Sequence, residues 1–209
     1  SHFIRRICVF FTKFKVLNNM KKLLAIIVLS LCFTALSKAD DINDFQIEGM
    51  SVGNSLLDFY SKREINNFYN YDHLPSDMKF RIADDQKTTG SYDGLQFFYK
   101  PKDQKFKIYS VAGHIYCYSK NECNKIFEEI KSDMKKSLGG KNFIKNTYRH
   151  SDDKSGKSFA TYYYLDLDGG HIKIEHMDWS EEVEFSDNVN VAINTTEAIV
   201  WMQSAYGTK

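Results

Sequence analysis

Two cysteines, Cys117 and Cys123 in HIYCYSKNECNKIFEEI, are the residues best placed by spacing for covalent chemistry. A redox catalyst uses C-x-x-C, and here five residues intervene, so the pair reads as a structural disulfide, with free thiols as the alternative. Ser119 and Glu122 form an S-x-x-E capping box that predicts a helix start at about Lys120. Cys117 then ends a strand and Cys123 lies in the first helical turn. A bridge between them would pin strand to helix.

Metal and phosphate chemistry find weaker footing. His171 and His176 are five apart in a predicted strand and point to opposite faces, which leaves Glu175 as the same-face partner of His171. His73, His114 and His150 add no H-E-x-x-H or H-x-H spacing, and neither a metal nor a cofactor is expected. Asp166-Leu167-Asp168-Gly169 opens like a calcium loop but lacks the third oxygen ligand and the later Glu, so it reads as a hairpin turn. Gly156-Lys157-Ser158 resembles the end of a phosphate loop, yet Ser151 stands where its first glycine belongs. No G-x-S-x-G nucleophile turn occurs.

Tyrosine is the remaining chemistry. Tyr162 and Tyr164, with Tyr148, Tyr99 and Tyr109, form the candidate binding surface, because Tyr offers apolar area with a polar handle to a sugar, peptide or lipid. The competing reading is that these rings, with Tyr163, Tyr116 and Tyr118, simply furnish a half-buried sheet.

The elements that must position these residues follow from periodicity. Ser51 is expected to cap a helix with Val52, Leu56, Leu57 and Tyr60 on one face, and Ser61 with Glu64 to open a second short helix carrying Ile65 and Phe68. A strand near Lys79 to Ala83 joins a hairpin of LQFFYK and KFKIYSVAGHIYCY around Pro101 to Gln104. The clearest helix runs from Lys120 to Leu138, with Ile126, Phe127, Ile130, Met134 and Leu138 as its stripe and Gly139-Gly140 as its stop. KNFIKNTYRH reads as a strand, SFATYYYLDLDGGHIKIEHMDW as a hairpin through Asp168-Gly169-Gly170, and VNVAIN as another strand. Thr195 or Thr196 caps a last helix over Glu197 to Ala205. Each half thus repeats strands followed by a helix, without residue identity that would establish a duplication. The expected fold class is α+β, an antiparallel β-sheet packed against one long amphipathic helix plus short N- and C-terminal helices.

The compartment is read from residues 20–39, MKKLLAIIVLSLCFTALSKA, which have the layout of a secretory signal peptide cut after Ala39. The apolar run Leu23 to Leu36 is shorter than the ~20 residues of a spanning helix. Cys32 does not suit lipid attachment, since the bulky Leu31 precedes it. Residues 1–19 read as a non-native upstream extension, with a basic amphipathic arm as the alternative. Residues 40–209 are expected to form a single α+β domain. Of 28 basic side chains, seven lie before Asp40, leaving 21 against 27 acidic and a net charge of −6. That sign argues against nucleic acid and against anionic lipid, so the membrane enters only through the transient leader.

The segment IEGMSVGNSLLDFYS, the Cys117/Cys123 junction and the tail around Trp201 together resemble uncharacterised small secreted or periplasmic proteins of marine alphaproteobacteria. The resemblance implies compartment and a one-domain architecture, and no activity. I-x-G-M-S-x-x-x-x-L also looks like the opening of small outer-membrane assembly lipoproteins of the BamE type, although their lipid cysteine is missing. Two functions are therefore carried forward. The first is a non-catalytic envelope binding or accessory domain whose partner is another envelope protein or a small ligand. The second is a hydrolase acting on cell-wall or extracellular substrate, with acid and base drawn from Asp, Glu and His.

Overall fold

Alternating apolar residues in seven segments, with a two-residue strand at one edge, build one antiparallel sheet in the computed structural model, which describes residues 41–70, 79–86 and 90–206. The leader, His73 and Pro75 lie outside the described residues. The strands are β1 (Tyr69–Asn70), β2 (Arg81–Asp85), β3 (Gly94–Tyr99), β4 (Ser110–Tyr116), β5 (Ile144–Arg149), β6 (Phe159–Leu167), β7 (Gly170–Asp178) and β8 (Asn188–Thr195). Their order across the sheet is β1-β2-β3-β4-β8-β7-β6-β5. Three helices accompany them: α1 (Lys62–Asn67), α2 (Lys120–Ser137) and α3 (Thr196–Tyr206). The chain is α+β, with an antiparallel sheet and one long amphipathic helix packed on it.

Because successive side chains alternate across a strand, the register assigns every residue a face. Phe97, Val111, Ile193, Ile172 and Leu165 stand opposite one another in a row on the core face. The buried side chains Phe127 and Ile130 of α2 pack there, with Ile42, Phe45 and Ile47 of the N-terminal segment. Burying a side chain of this size contributes roughly 1.5–3 kcal/mol. The charged side of α2 faces solvent, and Gly139 and Gly140 end the helix at φ +64° and +78°, a left-handed backbone that glycine adopts without strain. Gly140 N–H closes the last turn on Lys135 C=O at 2.9 Å.

Local details refine the expectations. The capping box at Ser61 and Glu64 forms as read. Ser51, by contrast, caps no helix: its Oγ donates to Asn43 C=O, and Ser55 caps a single 3-10 turn, Leu56–Asp58, that leaves Leu57 exposed. Residues 105–109 are not strand, since Gly53 N–H and Leu56 N–H donate to the carbonyls of Ile108 and Phe106, and β4 begins at Ser110. The β6–β7 hairpin turns through Asp168-Gly169, with Gly169 at φ +83°.

The repeated order of the two halves does not become a symmetry. With β4 and β8 antiparallel at the centre, a rotation exchanging the halves would leave both helices on one face. Instead α2 crosses to the core face over β7 and β8, while α3 places Ala198 and Trp201 against Phe80, Ile82 and Phe98 on the opposite, outer face.

Cys117 and Cys123 are bonded, with Cα atoms 5.4 Å apart, and Cys123 is fully buried. Ser119 Oγ accepts from Glu122 N–H at 3.2 Å, and Glu122 Oε2 accepts from Tyr118 N–H at 2.9 Å, so the junction is held on both sides of the cap. Replacing both cysteines by Ala is expected to lower unfolding free energy by about 2 kcal/mol, because the loop closed is short. Denaturant midpoints with and without reductant test this. A wild-type midpoint insensitive to reductant, with the thiols shown free, would contradict it.

Candidate functional site

The outer face has two ends. Over β2 and β3 it is covered by α3. Over β5, β6 and β7 its side chains are those that strand alternation dictates: Ile144, Asn146 and Tyr148 from β5, Tyr162, Tyr164 and Asp166 from β6, and His171, Lys173 and Glu175 from β7. Ile144 remains 50% and Tyr148 41% exposed, so this end is open among the described residues.

The structure brings together three of the five candidate tyrosines. Tyr162 and Tyr164 lie two apart on β6 with ring centroids 6.0 Å apart, and Tyr148 lies 6.0 Å from Tyr162. Tyr99 must be removed from the surface. It is 1% exposed on the core face against Phe106, because the register puts its neighbour Phe98 outward and Tyr99 inward. Tyr109 is also elsewhere, next to Phe80 and under the Lys100 ammonium at the α3 end.

More rings join than the sequence pointed to. His171 meets Tyr164 at 5.5 Å, and beyond Tyr148 the row continues through His150 at 6.3 Å, Trp179 at 4.3 Å and Phe185 at 4.6 Å. Seven rings thus form one continuous band. His150 continues the odd-even alternation of β5 from Tyr148, and Trp179 that of β7 from Glu175, a signal present in the sequence. Phe185 sits in the loop between β7 and β8, where no period exists to find it.

The far end of the band is fixed by Asp153, which is 4% exposed. Its carboxylate accepts from Ser155 N–H at 2.8 Å, Ser158 N–H at 2.8 Å, Ser158 Oγ at 2.7 Å and Ser180 Oγ at 3.0 Å. The bonds from the serine side chains and backbone hold its carboxyl well below the usual range. Asp153 thereby ties the loop after His150 to the residue after Trp179. It is a positioning residue for that ring pair.

Beneath the tyrosines lies an ion pair between a buried carboxylate and a partly exposed ammonium. Glu175, 6% exposed, accepts from Lys173 Nζ at 2.8 Å and from the Tyr148 hydroxyl at 3.2 Å. Burial pushes its carboxyl up, and the Lys173 charge with these hydrogen bonds more than offsets that, leaving it below its ordinary value. Tyr148 is shifted the other way, first by burial and then by the Glu175 charge. Lys173 also sits 5.6 Å over the Tyr162 ring. Asn146 Nδ2 donates to the Tyr162 hydroxyl at 2.8 Å, and His114 Nδ1 pairs with Asn190 Oδ1 at 2.5 Å further across the face. Among the described residues of β5, β6 and β7, Lys173 is the one cation on this face and it is paired in place, while Asp166 adds an exposed carboxylate at the β6 end, so the surface is aromatic, amide- and hydroxyl-bearing, and without a free cation.

His171 is pushed down to about 4 by burial and by Lys173. As pH falls from 6.5 the unfolded chain takes a proton at this position that the folded chain refuses, so stability falls with pH through the interval down to about 4. His176, buried beside Phe127 on the core face, shifts in the same direction through its own burial. For His171 the expected slope is up to about 1.4 kcal/mol per pH unit. His171→Gln is expected to flatten the profile measured by denaturant midpoints across this interval, and an unchanged profile would contradict the assignment.

Other sites are less suited to a ligand. The apolar cavity between Phe45, Tyr92, Ile130, Met134 and Val191 holds about 70 Å³, well under the ~300 Å³ of a small-molecule pocket. A hollow bordered by Glu48, Glu64, Asp84 and Asp85 includes Gln86 and Gly90, which flank residues outside the described set. Among the described residues no group of three metal-ligating side chains converges, and no helix is long and apolar enough to cross a membrane. Compared with models of known families, with curated proteins and with solved structures, the chain has no match, and its functional reading rests on the chemistry of the aromatic face.

Proposed function

We propose that this chain is an exported, non-catalytic binding domain that engages its partner through the aromatic end of the outer face. The observation that carries the reading is the unbroken band from His171 to Phe185, half-buried along its length with Tyr148 and Phe185 exposed, and underlain by the satisfied Lys173–Glu175 pair. Amphipathic rings already ordered on strands lose little conformational freedom on binding, which favours recognition. Export is supported by the disulfide and by the leader-like residues 20–39.

The hydrolase alternative asks for an acid and a base within reach of one substrate atom. On this face the buried carboxylate is already engaged by Lys173 and Tyr148 and is held ionised, which suits support of the ring above it better than proton transfer. The test is recovery of the protein from its native envelope as wild type and as the triple variant Tyr148→Ala, Tyr162→Ala, Tyr164→Ala. A component retained by the wild type and lost by the folded variant is the expected result. A component retained equally by both would move the binding site elsewhere.

A further inference from the structure

We infer that the ligand of this face is an uncharged polysaccharide, lying along the ring band with the C–H faces of its pyranose rings on Tyr164, Tyr162, Tyr148 and Trp179. The inference rests on the binding reading above and adds the chemical class.

Three observations select it. The first is charge. A single-stranded nucleic acid also stacks on aromatic rows but requires a cationic groove. Here Lys173 is spent on Glu175, while Lys145 and Arg149 alternate onto the other face, where they approach Tyr163 and Phe159. The second is spacing. A polyproline-type peptide needs slots repeating at about 9 Å, three residues at 3.1 Å each. Consecutive ring centroids here are 4.3–6.3 Å apart, in mutual tilted or edge contact, and leave no slots at that repeat. Successive sugar rings of an extended chain follow one another at about one ring width, as the ring centroids of the band do. The third is the polar complement. Asn146 with the Tyr162 hydroxyl it donates to, and the Tyr148 hydroxyl on Glu175, set polar atoms among the rings, the kind of group that matches sugar hydroxyls without demanding a charge. The planes of neighbouring rings turn by 32–66° along the row, so successive rings present faces at different tilts.

The experiment titrates the purified protein with cellohexaose, with chitohexaose and with a decaproline peptide, read by tryptophan fluorescence and by calorimetry. Of the two tryptophans, Trp201 is buried between α3 and the sheet at 6% exposure, so a ligand on the band reports through Trp179. One of the hexasaccharides is expected to give saturable quenching that is the same at low and high salt. Tyr162→Ala or Tyr164→Ala is expected to weaken it about tenfold, one stacking contact, and Tyr109→Ala to leave it unchanged. Affinity undiminished in the folded Tyr162→Ala and Tyr164→Ala variants overturns the inference, as does binding of decaproline alone. If neither hexasaccharide binds while the envelope component still depends on the three tyrosines, the glycan assignment falls and the binding reading stands. If that dependence is absent too, both fall.

Discussion

Lys173→Met is expected to cost the fold about 3 kcal/mol, more than an exposed lysine could. Glu175 is enclosed by β6, β8 and the Tyr148 ring, and among the described residues Lys173 is its one cationic partner within hydrogen-bond distance. Removing the ammonium leaves a buried carboxylate held by one hydroxyl. The group then either stays charged without a counter-ion or takes up a proton, and each route draws on stability. The double variant Lys173→Met with Glu175→Leu is expected to recover most of the loss, since an apolar pair of similar volume carries no desolvation penalty. Tyr148→Phe should cost only about 1 kcal/mol, one hydrogen bond. Denaturant unfolding of the wild type, Lys173→Met, Glu175→Leu and the double variant closes a cycle, with Tyr148→Phe measured beside it. A loss below about 1 kcal/mol in Lys173→Met, or a double variant no better than the single, would mean that Glu175 is hydrated and not buried.

The pair also explains why this face can carry a cation and still present none free. Lys173 and Glu175 are two apart on one strand, so both point outward, and each faces a tyrosine or an amide across the sheet. Neutralising one another beneath the rings, they order the face without labelling it for a charged partner. This spacing was legible in the sequence as the same-face relation of His171 and Glu175. What was not legible was burial, because alternation assigns a face and says nothing of which face is open.

Tyr99 and Tyr109 show the same limit. Both belong to aromatic-rich segments indistinguishable in composition from TYYY, yet Tyr99 alternates inward and Tyr109 precedes β4 beside Phe80. Register across eight strands decides the matter, and register is set by long-range pairing. Local signals fared better. The Ser61/Glu64 box, the apolar stripe of α2, the Gly139-Gly140 stop and the Cys117–Cys123 bridge all depend on residues within a few positions of one another, and all formed. Ser51 failed as a cap because Ser55, four residues on, offers its Oγ to Leu57 N–H, and the chain between them is tied to Ile108 by Gly53 N–H. Tertiary bonds outweighed a weak local preference.

The second large effect is expected at Trp201→Ala, with a loss of about 4 kcal/mol. Trp201 is where α3 meets the sheet: its ring lies 5.4 Å from Phe80 and 5.8 Å from Phe98, edge-on to both, and Ala198 one turn earlier is fully buried. Thr195 Oγ1 caps the helix by accepting from Ala198 N–H at 3.2 Å, and Glu197 reaches Lys79 and Lys100, each at 3.0 Å. Those ion pairs are partly exposed and add little. The docking of α3 therefore depends on one aromatic contact set, and truncating it uncovers Phe98 and Ile82 on the outer face. Two readouts separate local from global consequences. Amide exchange should accelerate first in α3, before β7 and β8, if the helix opens as its own unit. The denaturant midpoint should fall without recovery in Trp201→Phe beyond what a smaller ring can fill, while Val200→Ala, at a residue 57% exposed, should change it by no more than about 0.5 kcal/mol. A stable Trp201→Ala protein with α3 still protected would show that the strand end and the cap hold the helix without its ring. Because α3 and the ring band occupy opposite ends of the same face, the variant also asks whether the binding end is autonomous. Hexasaccharide affinity unchanged in a protein with α3 released would place all of the recognition on β5, β6 and β7.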